Sequence, residues 1–358
     1  MSRPADKLLP SERSEIATEL GVSERTVSRA LESPHEVSEE TRRRVLSKRE
    51  SLGLGRTPDA IFGLVIPDDQ NPFFGSLKKS IESRLAQTNF QLVATSSYGY
   101  VQREHIAIQS WLAMRFAGVF YAQNPPFAET LRTLTSSPDT QLILVDVDPA
   151  TAGLADFDGT PSAVLADNRA GIKLAVSHLV VEKGHERLAF VKGPEDRSTA
   201  EARRRAFDEE LKDLGLPLAL LLDGDYTFES GRAAAIDLIH TRRRKGIDDS
   251  PTAVIASNDL MAIGVMKGLQ RARYSVPDDF SVVGFDNIDA CDWVTPELTS
   301  IDQRVDEIAD HAVQLMTAQL GFERGQAPFS KEGSKPIQIR PDLKERKSVA
   351  GPPTVQTT

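Results

Sequence analysis

Two hydrophobic rhythms divide the chain near residue 60. Before it, apolar positions recur at helical spacing. The first such segment is Glu15-Ile16-Ala17-Thr18-Glu19-Leu20, followed by Gly21 where a helix would stop. Ser23 then opens a second helix as an N-cap. It runs through Leu31 with Val27, Ala30 and Leu31 on one face. A third opens at Ser38, with Glu39 and Glu40 in its first turn and Arg42, Arg43 and Arg44 further along, the charge order that suits a helix dipole. From Ile61 onward, short apolar runs alternate with amphipathic helices. The runs fall at 62–66, 90–95, 118–121, 142–147, 163–166, 188–191, 218–222, 253–256 and 281–285. Several are apolar on both faces, as buried parallel strands are. The helical stretches include 74–87, 169–181, 200–214, 229–241, 259–272 and 304–320. Such alternation predicts doubly wound α/β sheets. Nine strands exceed one comfortable domain, so two subdomains are expected.

Composition narrows the class. The 358 residues suggest two or three folding units, and 40% hydrophobic with 27% charged residues is ordinary for a soluble globular protein. The net charge of −9 excludes a general polyanion binder. That charge is uneven: residues 1–56 carry 11 Lys and Arg against 10 Asp and Glu, so the acidity belongs to the rest. The lone cysteine, Cys291, excludes a disulfide framework and a multi-cysteine metal site. No apolar stretch suits a secretory leader or a membrane span, so the expected compartment is the cytoplasm.

Polar residues follow almost every predicted strand: Asp68-Asp69-Gln70-Asn71, Ser96-Ser97, Gln123-Asn124, Asp146, Asp167-Asn168, Lys192, Asp223 with Asp225, Asn258-Asp259 and Asp286-Asn287. Singly, each could cap the next helix. Together, at the carboxyl ends of parallel strands, they point to one crevice that takes a polar ligand. Catalytic signatures are missing: there is no G-x-S-x-G, P-loop or G-x-G-x-x-G, and the six histidines have no metal-binding spacing. No enzyme activity, metal or cofactor is expected. His185, after Gly184, reads as a helix-terminal cap and Cys291 as a passive thiol.

The first segment is more specific. Ala17 is small where two helices would cross, Gly21 makes the turn, and Val22, Val27 and Leu31 pack inside. This is the layout of a helix-turn-helix, whose second helix enters the major groove. Ser23, Glu24, Arg25, Thr26, Ser28 and Arg29 remain for the outside and are the candidate DNA contacts, with Arg25 and Arg29 able to grip guanine.

Gly21-Val22-Ser23, Thr26-Val27-Ser28-Arg29-Ala30-Leu31 and Val37-Ser38 resemble the DNA-binding domain of the lactose/galactose repressor (LacI/GalR) family. The resemblance continues through Asn71-Pro72-Phe73-Phe74, Asp167-Asn168, Gly184-His185, Ser257-Asn258-Asp259, Val276-Pro277-Asp278-Asp279, Val282-Val283-Gly284-Phe285-Asp286 and Leu298-Thr299-Ser300-Ile301. It implies a three-helix headpiece and a periplasmic-binding-protein-like core, α/β, of two parallel-sheet subdomains joined by three crossovers. It also implies a homodimer whose operator affinity answers to a small ligand, and the chain is read as a transcription regulator, a repressor, with a sugar or sugar derivative as that ligand. The ligand positions it implies are Phe73, Phe74, Asp167, Arg197, Arg203, Tyr226, Asn258 and Asp286.

The expected organisation is a headpiece at 1–50, a short linker at 51–60 and a regulatory core at 61–343. Within the core, one subdomain takes 61–165 and 298–325 and the other 166–297 and 326–343, and 344–358 form a disordered tail. The linker departs from the family pattern, since Gly53, Gly55 and Pro58 oppose a hinge helix. Two alternatives stand beside the main reading: a solute sensor with impaired DNA binding, and a regulator responding to purines or nucleosides.

Overall fold

The computed structural model describes residues 8, 10–33, 36–52, 60–86, 88–149, 161–321 and 335–353. The chain divides at residues 60–61 into a helical unit and an α/β unit, apart from the short 88–91 segment, which clusters with the first. The expected linker falls largely on 53–59, outside the described residues.

The helical unit consists of α1 (Pro10–Leu20), α2 (Glu24–Glu32) and α3 (Glu39–Ser51). Ile16, Ala17, Val27, Ala30 and Val45 are buried at its centre, and Leu20, Val22, Leu31 and Val37 pack around them. Gly21 adopts φ +64°, the left-handed conformation that turns the chain between α1 and α2. Ser23 Oγ accepts from Thr26 N at 3.1 Å, and Ser38 Oγ accepts from Thr41 N at 3.1 Å. Both serines thereby satisfy otherwise orphaned helix donors.

The α/β unit runs β1 (Ala60–Ile66), α4 (Pro72–Leu85), β2 (Phe90–Ser96), α5 (Val101–Ala113), β3 (Gly118–Tyr121), α6 (Ala128–Thr135), β4 (Gln141–Val145) and β5 (Ser162–Ala166). It continues through α7 (Asn168–Ser177), a π-helical turn (His178–Glu182), β6 (Leu188–Val191), α8 (Ser198–Asp213), β7 (Leu218–Leu222), α9 (Phe228–Lys245), β8 (Ala253–Ala256) and α10 (Asp259–Arg271). It ends with β9 (Ser281–Asp286), α11 (Ala290–Trp293), β10 (Thr299–Asp302), α12 (Val305–Gln319), β11 (Ile337–Ile339) and β12 (Asp342–Lys344). One sheet has the order β11-β5-β4-β3-β1-β2 and the other β12-β10-β9-β8-β6-β7. All the pairings described are parallel except β10 with β12. Phe190, Phe207, Val283 and Phe285 sit in one core, and Val65, Trp111, Tyr121 and Leu144 in the other.

The nine predicted strands are present, and three more complete the sheets. β11 and β12 have three residues each, and β10 reads Thr-Ser-Ile-Asp. Segments this short carry no periodicity of their own; their partners recruit them. They also move the expected subdomain limits. β10 pairs with β9 and so belongs to the second sheet, whereas the sequence places 298–325 with the first subdomain. β11 pairs with β5 in the first sheet, whereas the sequence places 326–343 with the second. The chain therefore crosses between sheets near residues 167, 303 and 340.

The expected disordered tail is also corrected. Ser348 is fully buried: its Oγ donates to Val282 O at 2.6 Å and accepts from Thr299 N at 2.8 Å. Ala350 N donates to Ser281 Oγ at 3.0 Å, and His185 Nε2 lies 2.9 Å from Ala350 O. Hydrogen bonding to β9 and β10 holds a segment whose apolar content alone predicts disorder. His185 is accordingly a buried tie to this segment, with Thr252 Oγ1 on its other nitrogen at 2.8 Å, rather than a helix cap. Residues 354–358 lie outside the described residues.

Candidate functional site

A cavity of about 330 Å³ lies at the carboxyl ends of the strands of both sheets. Each wall is placed by a strand end or a helix start. Asp68 and Asn71 follow β1, and Phe73 and Phe74 form the first turn of α4. Asn124 follows β3 and Asp146 follows β4. Arg197, Thr199 and Arg203 come with α8, Tyr226 precedes α9, Asn258 precedes α10, Asp286 ends β9 and Gln303 follows β10. Three of these residues adopt positive φ: Asp146 (57°), Tyr226 (71°) and Asp286 (120°). Non-glycine residues avoid that region, and its use clusters at functional sites.

Arg203 is the centre of the buried charge. It is only 3% exposed. Its Nε donates to Asn168 Oδ1 at 2.7 Å and its Nη1 donates to Ser257 O. The guanidinium lies 3.7 Å from the Phe285 ring centroid, and Nη1 is 3.6 Å from Asp286 Oδ1. Asp286 Oδ1 also accepts from Gln303 Nε2 at 2.6 Å. Burial pushes the Asp286 carboxyl well above its usual value, and Arg203 pulls against it. Asp146 stands at about 6, raised by burial and partly offset by Arg203 and Arg197.

Three buried polar atoms at this cavity have no hydrogen-bond partner: Asp146 Oδ1, Gln303 Oε1 and Arg197 Nε, the last with only a 4.0 Å ion pair to Asp196 Oδ1. Buried polar groups are nearly always hydrogen-bonded. Three exceptions around one cavity leave two acceptors and one donor for something that enters it. Phe73 and Phe74 meet edge to face, with centroids 5.3 Å apart, and supply apolar wall.

In the helical unit, Glu24 and Arg25 are exposed at the start of α2. Ser23 and Thr26 are hydrogen-bonded to each other at 2.8 Å, and Ser28 Oγ accepts from Arg13 Nη1 at 3.1 Å. Arg29 Nε pairs with Glu36 Oε2 at 3.1 Å.

Residues 14–53 match the family described as bacterial regulatory proteins, lacI family, and residues 176–349 match the periplasmic binding protein-like domain. The chain is 27% identical over 321 residues to catabolite control protein A of Priestia megaterium, covering 86% of this chain and 92% of that protein. It is 27% identical over 347 residues to the ribose operon repressor of Escherichia coli K12, covering 93% and 98%. A solved structure of a LacI family regulator from Enterococcus faecium, with bound ribose, superposes with a TM-score of 0.66 at 26% identity, over 81% of this chain and 98% of that one. The chain belongs to the lactose/galactose repressor family.

In this family member, seven of the eight sequence-derived ligand positions line the one cavity: Phe73, Phe74, Arg197, Arg203, Tyr226, Asn258 and Asp286. Asp167 does not. Its carboxylate accepts from Ala170 N at 2.9 Å and caps α7. Asn258 lines the wall but is spent structurally, its Oδ1 accepting from Met261 N and its Nδ2 donating to Tyr226 O, each at 3.0 Å. Gln303 escaped sequence reading altogether. It lies on a crossover after a strand too short to recognise. Asp146 was visible only as one strand-end polar residue among many. Cys291 is buried, and its Sγ donates to Asp259 Oδ2 at 3.2 Å. No helix among the described residues is long and apolar enough to cross a membrane.

The raised Asp146 carboxyl has a consequence for stability. Between the ordinary value of 3.8 and about 6, the folded regulator keeps a proton that the unfolded chain has lost. The contribution is therefore complete below about pH 4 and falls away as pH rises through 6. Asp146→Asn should flatten stability against pH in that window, by up to ~3 kcal/mol at 1.4 kcal/mol per pH unit. Denaturant unfolding of both proteins at pH 4.5 and 7.5 measures it; parallel profiles would exclude Asp146 as the titrating group.

Proposed function

We propose that this protein is a cytoplasmic transcription repressor that binds an inverted-repeat operator as a homodimer and is controlled by a sugar or sugar derivative in the core cavity. The observation that carries the ligand reading is the trio of buried atoms without a hydrogen bond, Asp146 Oδ1, Arg197 Nε and Gln303 Oε1. Adjacent hydroxyls can donate to the two acceptors and accept from the donor. Carboxylate and guanidinium partners make such bonds charge-assisted. The ribose held by the Enterococcus faecium regulator and the name of the Escherichia coli ribose operon repressor support the same ligand class. A ligand that binds better when the two sheets close on it shifts the balance between open and closed cores by that difference in affinity. No reaction is assigned. The relatives are named as regulators, and the cavity needs only to bind.

For DNA, α2 would lie in the major groove with its first turn at the base edges. The side chains still available there favour Arg25 over Arg29, which is already engaged by Glu36. Two measurements test the function together. A thermal-shift screen of the full chain against neutral sugars and nucleosides should give a sugar that raises Tm, and that sugar should change the affinity for an operator selected from random duplexes. Arg25→Ala should cost about 1–3 kcal/mol on that operator and relax preference at one base pair per half-site. Equal binding of wild type and Arg25→Ala to every duplex removes Arg25 from the interface. A nucleoside that shifts Tm where no sugar does replaces the ligand class.

A further inference from the structure

The charge of the cavity narrows its ligand further than the hydroxyl pattern does. Its lining includes the carboxyl groups of Asp68, Asp146, Asp225, Asp286 and Glu229, the last paired with Arg232 outside the lining, against the guanidinium groups of only Arg197 and Arg203. Arg203 is committed: Asn168, Ser257 and Asp286 hold it, and Phe285 covers its face. Asp146 and Asp286 are the buried carboxyl groups of the lining, and Asp286 Oδ1, accepting from Gln303 Nε2 and 3.6 Å from Arg203 Nη1, has the surroundings of a carboxylate. An anion brought beside them would meet like charge in a poorly screened setting.

The helix starts around the cavity tell the same story. A helix N-terminus with open N–H groups is a ready phosphate site. Here one first-turn N–H of each is taken by the protein's own side chains. Asn71 Oδ1 accepts from Phe73 N at the start of α4, at 3.1 Å. Thr227 Oγ1 accepts from Ser230 N at the start of α9, at 3.2 Å. Asn258 Oδ1 accepts from Met261 N at the start of α10. At the start of α8 the first N–H is taken by Asn124: Ser198 N donates to Asn124 Oδ1 at 3.2 Å, and Asn124 Nδ2 donates to Ser198 Oγ at 2.8 Å.

We infer that the cavity takes an uncharged polyhydroxyl ligand and rejects the phosphate ester or acid of the same sugar, with the Asp146 and Asp286 carboxylates as the excluding groups. The inference rests on the sugar reading above and deepens it. The effector would then be a free sugar, sensed before the phosphoryl-transfer reaction that would convert it to its ester.

Calorimetry of the full chain with paired probes tests this: D-ribose and D-ribose 5-phosphate, D-glucose and D-glucose 6-phosphate, at pH 7.5. For the pair whose free sugar binds, the ester should bind at least tenfold more weakly. Asp146→Asn removes the charge while keeping the shape, and Asp146 Oδ1 has no protein partner to lose. That variant should narrow the ratio severalfold, with Asp286→Asn as the second variant. An ester that binds as tightly as its sugar, or an unchanged ratio in both variants, overturns the charge exclusion and leaves the sugar site standing. Binding of adenosine or hypoxanthine with no sugar bound overturns the sugar reading itself, and this inference with it.

Discussion

Arg203→Ala should unfold the core far more readily than wild type and abolish ligand binding. The sequence alone suggests a binding residue that could be removed with the fold intact. Its burial says otherwise. Removal strands Asn168 Oδ1 and Ser257 O without a donor, uncovers the Phe285 ring and leaves Asp286 and Asp146 without their main countercharge. Breaking one side of a buried charged pair costs about 3–5 kcal/mol. Arg203→Lys should recover little, because an ammonium cannot serve two acceptors in divergent directions while stacking on a ring. Acid should partly rescue the alanine variant, since protonation of Asp146 and Asp286 removes the uncompensated charge. Urea unfolding at pH 5 and pH 7.5 reads this; a loss below 1 kcal/mol at pH 7.5 would show that the buried charges find other partners.

Gly231→Ala should be the most damaging single methyl group in the core. α9 and α10 approach so closely that a Cβ at Gly231 would lie 2.1 Å from Met261 O and 2.6 Å from Met261 Cα. A Cβ at Gly264, on the facing helix, would lie 2.2 Å from Phe228 O. Both clashes are with backbone, so no rotamer relieves them and the helices must separate. Overpacking of this kind costs about 3 kcal/mol. It also reaches the cavity, because Tyr226 precedes α9 and Asn258 caps α10. Gly231→Ala should therefore lose sugar affinity as well as stability, whereas Gly75→Ala, within α4 where a Cβ meets nothing within 4 Å, should lower neither. Thermal unfolding and calorimetry on the two variants decide it. A Gly231→Ala protein with wild-type Tm and affinity would mean the helix contact is looser than 2 Å clashes allow.

How far the sequence reached follows from the range of each signal. Periodicity located the three headpiece helices, because Gly21, Ser23 and Ser38 punctuate them with local chemistry that needs no distant partner. It located nine strands for the same reason: each is an apolar run bounded by polar residues. Strand-end polarity pointed to a crevice, since parallel strands send their carboxyl ends to one side. Family resemblance supplied the choice of Arg203 from three adjacent arginines, and burial separates it from its exposed or half-buried neighbours Arg204 and Arg205.

Other features exist only in three dimensions. β10, β11 and β12 are too short to carry a pattern and are strands because β9, β5 and β10 offer them an edge. The segment 344–353 is held by hydrogen bonds to residues about 50 to 165 positions away. Asp167 and Asp146 look alike in sequence, each a polar residue just after an apolar run. The fold spends Asp167 on a helix cap and leaves Asp146 with an empty acceptor. Sequence determined which residues could bear the chemistry, because composition and spacing fix elements locally. Tertiary structure decided which of them remain free to bind, because a polar atom is available only when nothing else in the fold has satisfied it.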